Sequence, residues 1–433
     1  IYEYTTKGNL VAVISNGTAV LGLGDIGAEA SKPVMEGKGL LFKIFADINV
    51  FDIEINEKDP DKFIEIVKGI SPTFGGINLE DIKAPEAFYI EQRLKEELNI
   101  PLMHDDQHGT AIISAAALIN ALELADKKID EVKMVVNGAG AAAIACTKLY
   151  IALGLKKENV LMCDSKGVIN HKRENLTPEK LDFIAQTDIS TLEQALEGAD
   201  VFVGLSKGDV MTAKMLSSMA ENPVVFALAN PTPEIDYNLA IATRPDVIMA
   251  TGRSDFPNQV NNVLGFPYIF RGALDVQATG INEEMKLAAV KAIAELAKEP
   301  VPEMVKLAYN VKNIGFGREY FIPKPFDNRL LTKVSIAVAK AAMESGISRK
   351  PIADFEEYEN QLLDRMGRDE KLIRMMQNRA RSNPKRVTLG NAEEYNVLKA
   401  AQILYEEGIA HPILLGEKKF IKEQMEKFGI HLD

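Results

Sequence analysis

Positive charge is in short supply in this chain: Lys and Arg number 50 against 62 Asp and Glu, a net charge of -12. No clustered Lys/Arg stripe offsets that deficit, which argues against a nucleic-acid surface, and an anionic ligand must be caught by local cations rather than by the overall field. Cysteine occurs only as Cys146 and Cys163, both inside apolar runs. Two are too few for a disulfide framework, and a reduced, cytoplasmic setting is expected. Apolar runs long enough to cross a membrane are missing, as is a signal peptide ahead of the first strand. The chain starts at Ile1 rather than Met and stops at Asp433 inside a helix-loop pattern, so it reads as a fragment of a longer polypeptide. What is there is a globular balance, 46% apolar and 26% charged over 433 residues, sufficient for two or three domains with separate cores.

Two acidic pairs organise the rest. Glu80-Asp81 follows the extended run Gly75-Gly76-Ile77-Asn78-Leu79, and Asp105-Asp106 follows Ile100-Pro101-Leu102-Met103-His104. A helix over Pro85 to Leu98 makes the whole a strand-helix-strand unit. Carboxylates at the ends of neighbouring strands converge, and four negative charges together repel unless a cation sits among them. The donors are all oxygens, which suits Mg2+ or Mn2+. Any one such pair alone would read as a solvated acidic turn. Upstream, Asn16-Gly17 between two apolar runs predicts a β-hairpin. Gly22-Leu23-Gly24-Asp25-Ile26-Gly27 predicts a tight loop rather than a nucleotide site, because no acidic residue ends a clear second strand beyond it. Lys38 stands at the head of a helical pattern over Gly39 to Phe45 and reads, from its neighbours alone, as a surface lysine. Phe51 to Ile55 alternates as a half-buried strand, and Asp59-Pro60 starts a short helix.

A buried helix over Gly109 to Ala125 joins two domains, and Val132 to Asn137 then forms a buried strand. It leads into Gly138-Ala139-Gly140-Ala141-Ala142-Ala143, followed by a helix, a strand over Asn159 to Cys163, and Asp164, 26 residues past Gly138. That succession is a dinucleotide-binding turn, with backbone N–H groups and a helix N-terminus facing the pyrophosphate. Three more strands end in loops at Ser206-Lys207, Asn230-Pro231 and Thr251 to Asp255, the rim where ligands of open α/β sheets lie. Pro257 to Asn262 carries four amides and reads equally as a capping loop or as donors to a carboxylate or nicotinamide. Long helices follow over Asn282 to Lys298 and Thr332 to Ser345. A charge-rich helix, Phe355 to Ala380, leads to Asn383-Pro384 and to the start of a third strand-helix-strand unit at Arg386, below the size that folds comfortably alone.

Val20 to Gly27, Asn78 to Asp81, His104 to Ala111 and Phe226 to Pro231, in that order and spacing, resemble a malic enzyme over residues 1 to about 345. Residues 355–433 resemble the linker and opening of a phosphate acetyltransferase-like domain, as in the large bacterial members of that family. The fold implied is α/β: an N-terminal substrate- and metal-binding domain over 1–107, a Rossmann-type doubly wound domain over 108–345, a helical linker over 346–384 and a truncated third α/β domain over 385–433.

The resemblance implies oxidative decarboxylation of (S)-malate to pyruvate and CO2 with NADP or NAD and Mg2+ or Mn2+. Glu80, Asp81 and Asp106 match metal ligands. Lys38 matches the general base, its pKa depressed by burial beside the metal, and Asp105 the acid next to it. Gly138 to Ala142 match the pyrophosphate turn. Asn230 matches a residue that contacts cofactor and substrate, and Asn261 and Asn262 match amides near the nicotinamide and malate. Asp164 alone would favour NAD through the ribose 2′-hydroxyl, whereas Ser165, Lys166, Lys172 and Arg173 could hold a 2′-phosphate if Asp164 turns away, so NADP is the expectation.

A homo-oligomer, a dimer or higher, and acetyl-CoA as an allosteric effector of the full-length protein are also implied. Two departures stand out. The family's general-acid tyrosine belongs to a motif not found around Tyr2 or Tyr4, and Thr18-Ala19 replaces an arginine of the larger enzymes. The alternatives are another metal-dependent NAD(P) oxidative decarboxylase and a non-catalytic regulatory protein that binds a dinucleotide and acetyl-CoA.

Overall fold

Strands β1 (Leu10–Ser15), β2 (Asn49–Glu54), β3 (Gly76–Leu79) and β4 (Leu102–His104) form a wholly parallel sheet in the order β2-β1-β3-β4 in the computed structural model. The structure describes residues 1–309, 311, 314–366, 371–428, 430 and 432. Helix α1 (Ala28–Ala46) joins β1 to β2, α2 (Pro60–Ile70) joins β2 to β3, and α3 (Glu86–Glu97) joins β3 to β4. Asp59 accepts from the N–H groups of Asp61 and Lys62, and Pro60 occupies the first helical turn, as the sequence predicts. The sheet buries Ala12, Ile14, Ile77 and Leu79 against Phe63, Val67, Ile90 and Leu94 of α2 and α3.

The hairpin expected at Asn16-Gly17 does not form. Gly17 does take a left-handed turn, with φ 64°. Both edges of β1 are already taken by parallel neighbours β2 and β3, which leaves no edge for an antiparallel partner. The chain instead loops back, and the Gly17 carbonyl accepts from the N–H groups of Ile26 and Gly27. A second correction concerns Lys38. It lies mid-helix, not at a helix head, in the buried stripe Ala28, Ser31, Met35, Lys38, Phe42 and Ala46.

Helix α4 (Asp105–Leu124) leaves β4 without a break. It leads to a six-stranded sheet of β5 (Met134–Asn137), β6 (Val160–Asp164), β7 (Gly167–Val168), β8 (Val201–Gly204), β9 (Val224–Ala227) and β10 (Ile248–Thr251). The order is β10-β9-β8-β5-β6-β7, with only the short β7 antiparallel. This is the doubly wound arrangement, whose direction of winding reverses between β5 and β8. Helix α5 (Ala141–Ala152) follows the glycine turn directly and packs on α4.

Contacts divide the chain into two compact units, Ile1–Glu299 with Phe316–Glu359, and Pro300–Gly315 with Asn360–Asp433. The first holds both sheets. The second contains a parallel pair, β11 (Lys385–Leu389) and β12 (Ala410–Leu414), around a small core of Ala392, Leu398, Ile421 and Ile430. Where one helix was expected over Phe355 to Ala380, two occur, Phe355–Arg365 and Lys371–Arg381; residues 367–370 of that expectation lie outside the described residues.

Candidate active site

The register of the first sheet brings the two acidic pairs together. Leu79 pairs with His104 across β3 and β4, so Glu80-Asp81 and Asp105-Asp106 leave adjacent strands at the same level. One carboxylate oxygen from each of Glu80, Asp81 and Asp106 lies within 4.8 Å of the others. Glu80 and Asp81 are buried, and the Asp106 side chain is about one-third exposed at 38%. Burial, with the neighbouring acids adding to it, pushes Glu80 up to about 8 and Asp81 and Asp106 up to about 7. Three hard oxygen donors in a cluster that resists its own negative charge fit a hard divalent cation, and the buried Asp105 Oδ1 has no hydrogen-bond partner.

Lys38 reaches this cluster from α1. Its Nζ donates to Glu80 Oε1 at 3.1 Å and to Asp105 Oδ2, and sits 3.9 Å from the centre of the Phe266 ring. The depressed pKa expected for Lys38 is not found. Burial works against the ammonium, but Asp105 and Glu80 outweigh it and hold the group above the ordinary lysine range. Depression requires positive charge among those acids, whereas the charged groups that act on Lys38 among the described residues are the carboxylates Asp105, Glu80 and Asp106.

Two further residues escaped the sequence reading. Asn78 donates from Nδ2 to Glu80 Oε2 at 2.7 Å, and the two-residue spacing along β3 was a usable signal for it. Thr110 donates to Asn262 Oδ1 at 3.2 Å, and Asn262 Nδ2 in turn donates to Asp105 Oδ2 at 3.1 Å. Those residues are 152 apart in sequence, so nothing local pointed to the contact. The loop from Thr18 to Gly27 is tied to the same corner. Ala19 N–H donates to the Asp81 carbonyl at 2.9 Å, and Lys83 N–H donates to Thr18 Oγ1 at 3.1 Å. The start of that loop is therefore anchored beside Asp81. Tyr4 is 92% exposed, and the Tyr2 hydroxyl accepts from Arg349.

The amide loop divides between the two readings left open for it. Asn258 is buried and spends its side chain on the backbone of Met249, Arg318 and Phe321, while Asn261 Oδ1 caps Val263 N–H. Only Asn262 enters the carboxylate cluster.

At the second sheet, Gly138, Ala139, Gly140, Ala141 and Ala142 turn from β5 into the N-terminus of α5, with Gly138 at φ 133°. A Cβ at Gly138 would press on the Leu205 carbonyl, so this turn requires glycine. Asn230 is half-buried, and its carboxamide makes no hydrogen bond among the described residues. Asp164 is fully engaged. Arg173 donates to both its oxygens at 3.0 and 2.9 Å, Lys180 Nζ lies 3.1 Å away, and Lys166 N–H donates at 2.9 Å. Although burial opposes its charge, those donors hold Asp164 down at about 2. Ser165 and Lys166 are exposed beside it.

Residues 1–95 match the family described as "Malic enzyme, N-terminal domain", 107–315 "Malic enzyme, NAD binding domain", and 371–433 "Phosphate acetyl/butaryl transferase". The chain is 58% identical over 433 residues to an NADP-dependent malic enzyme of Escherichia coli (strain K12), covering all of this chain and 57% of that protein. An NADP-dependent malic enzyme of Halomonas elongata is 61% identical over 350 residues, 81% of this chain and 83% of the relative. The crystal structure of a malic enzyme from Pyrococcus horikoshii superposes with a TM-score of 0.78 at 42% identity, covering 87% of this chain and 86% of that one. This chain thus spans little more than half the length of the Escherichia coli relative.

Proposed function

Because the chain belongs to the malic enzyme family, we propose that it carries the catalytic part of an enzyme that converts (S)-malate to pyruvate and CO2 with NADP+. The observation that carries this reading is the placement of Lys38 between Asp105 and Glu80, beside the cluster of Glu80, Asp81 and Asp106. Those three acids would hold the divalent ion. Such an ion, once bound, acidifies the malate hydroxyl, acts as a Lewis acid during decarboxylation and supplies the positive charge that lets Lys38 give up its proton. Lys38 then takes the hydroxyl proton as hydride leaves C2 for the nicotinamide. Asp105 keeps the lysine aimed, and Asn262, oriented by Thr110, offers its amide toward a malate carboxylate. The turn from Gly138 to Ala142 would take the pyrophosphate, with Asn230 and Asn261 at the nicotinamide end.

The choice of NADP rests on Asp164. Its oxygens are spent on Arg173, Lys180 and the Lys166 backbone, so it is a poor acceptor for a ribose 2′-hydroxyl, whereas Ser165 and Lys166 are free to meet a 2′-phosphate. The decisive experiment is a steady-state assay with malate, Mn2+ and each nicotinamide. NADP+-dependent pyruvate formation that stops in excess EDTA is expected; no pyruvate, or turnover that survives EDTA, overturns the reading.

The same reading places the protein in the cytoplasm, with free, buried Cys146 and Cys163; no described helix is long and apolar enough to cross a membrane. It includes self-association, supported by the exposed apolar face of α1 at Val34, Leu40 and Ile44. Acetyl-CoA is the proposed effector of the longer protein, acting through the segment that begins near residue 371.

A further inference from the structure

Glu234 is fully buried, and no cation partners it among the described residues. Its Oε1 accepts from Ser206 N–H at 3.1 Å and its Oε2 from Ala229 N–H at 3.0 Å. These two N–H groups belong to different loops, one after β8 and the other after β9, both at the carboxyl ends of the strands. The connection continues in the other direction, since Asn137 Nδ2 donates to Ser206 Oγ at 2.7 Å. A single polar chain therefore runs from the residue before the glycine turn, across the β8 loop, to the residue before Asn230. The room for it is made by Gly204, where a Cβ would collide with the Glu234 carboxylate.

A buried carboxylate without a counterion is an expensive way to join two loops, and a well-packed apolar side chain would be cheaper. What a carboxylate offers that no neutral side chain does is two acceptor oxygens and no donor, so it can draw two N–H groups to one fixed separation. Asn230 is the residue that benefits. Its neighbour Ala229 is pinned by Glu234, and its Nδ2 would lie 2.7 Å from a Cβ on Gly252. Gly252 leaves the room that the carboxamide occupies, and its hydrogen-bonding capacity stays unspent.

We propose that Glu234 is a positioning residue for the dinucleotide site, setting the separation of the β8 and β9 loops so that Asn230 is presented to the nicotinamide end of the cofactor. This rests on the dinucleotide reading of that rim given above. Glu234→Gln keeps the shape but turns an amide donor toward one of the two N–H groups.

The test measures NADPH binding by fluorescence titration, and Mn2+ and malate dependence by steady-state kinetics, for the whole chain as wild type, Glu234→Gln, Asn230→Ala and the double variant. Glu234→Gln should weaken NADPH about tenfold while the Mn2+ constant stays within about twofold. In the Asn230→Ala background the same change should cost little more, because Glu234 acts through Asn230. Full additivity of the two substitutions, or loss of thermal stability with unchanged NADPH affinity, overturns the proposal. If Glu234→Gln does not accumulate, Asn137→Ala loosens the same chain from its other end and should shift NADPH affinity in the same direction. Wild type that fails to bind NADPH overturns the dinucleotide reading together with this one, whereas wild type that binds while the variants match it overturns only the role of Glu234.

Discussion

An acid at the end of the second strand of a dinucleotide fold ordinarily signals NAD, yet Asp164 is held by a guanidinium, an ammonium and a backbone N–H. Arg173→Ala should therefore act on selectivity without touching the cofactor. Freed of its bidentate partner, Asp164 can turn to a ribose hydroxyl and repel a 2′-phosphate. The ratio of kcat/KM for NADP+ to that for NAD+ should fall by about tenfold or more, the scale of one charge-assisted hydrogen bond. An unchanged ratio would remove Asp164 from the account of specificity. At this scale the sequence was partly legible. The acidic pairs were legible because each is local, at the end of a strand, and the structure does bring Glu80, Asp81 and Asp106 together. Lys38 did not, since its partners Glu80 and Asp105 are 42 and 67 residues away. One signal was present all the same, for Lys38 falls on the apolar stripe of α1, where an unpaired lysine has no reason to be.

Helix α4 shows how an element can be dictated by one of its glycines. A Cβ on Gly109 would land on the Asp105 carboxylate and 3.2 Å from Asn262 Cγ. On helix propensity alone Gly109→Ala would stabilise by roughly 0.5–1 kcal/mol. The two effects part company in the assay. The substitution should push Asp105 off Lys38 and cut kcat by roughly a hundredfold, as a misplaced catalytic group does, while the melting temperature changes little. A variant with near-normal kcat would mean that Asp105 can move aside without consequence. Elements with strong period and punctuation, such as the strand-turn-helix at β5 and α5, were readable in advance. The turn at Asn16-Gly17 was not, because a turn signal is local and the availability of a sheet edge is not.

The first unit as a whole carries a pH-dependent tension. Glu80, at about 8, and Asp81 and Asp106, at about 7, lie above their values of about 4 in an unfolded chain. Raised acids contribute stability that is complete below about pH 4 and is lost as pH rises through 7 to 8. A divalent ion binds the charged form, so it restores most where protons have left. Saturating Mn2+ should raise the melting temperature more at about pH 8.5 than at about pH 6, read by calorimetry, and an equal shift at both would separate these acids from the ion. The same unit has a genetic consequence. Helix α4 begins at Asp105 and ends deep in the dinucleotide half, and the division at 107/108 suggested by sequence falls within its first turn. Recombination between relatives that swaps the two halves there would join a candidate metal-holding acid, Asp106, from one parent to a helix shaped by the other. Chimaeras of two relatives should therefore keep more activity when residues 105 to 124 come from one parent than when the join falls at 107/108, which activity assays of both chimaeras would check.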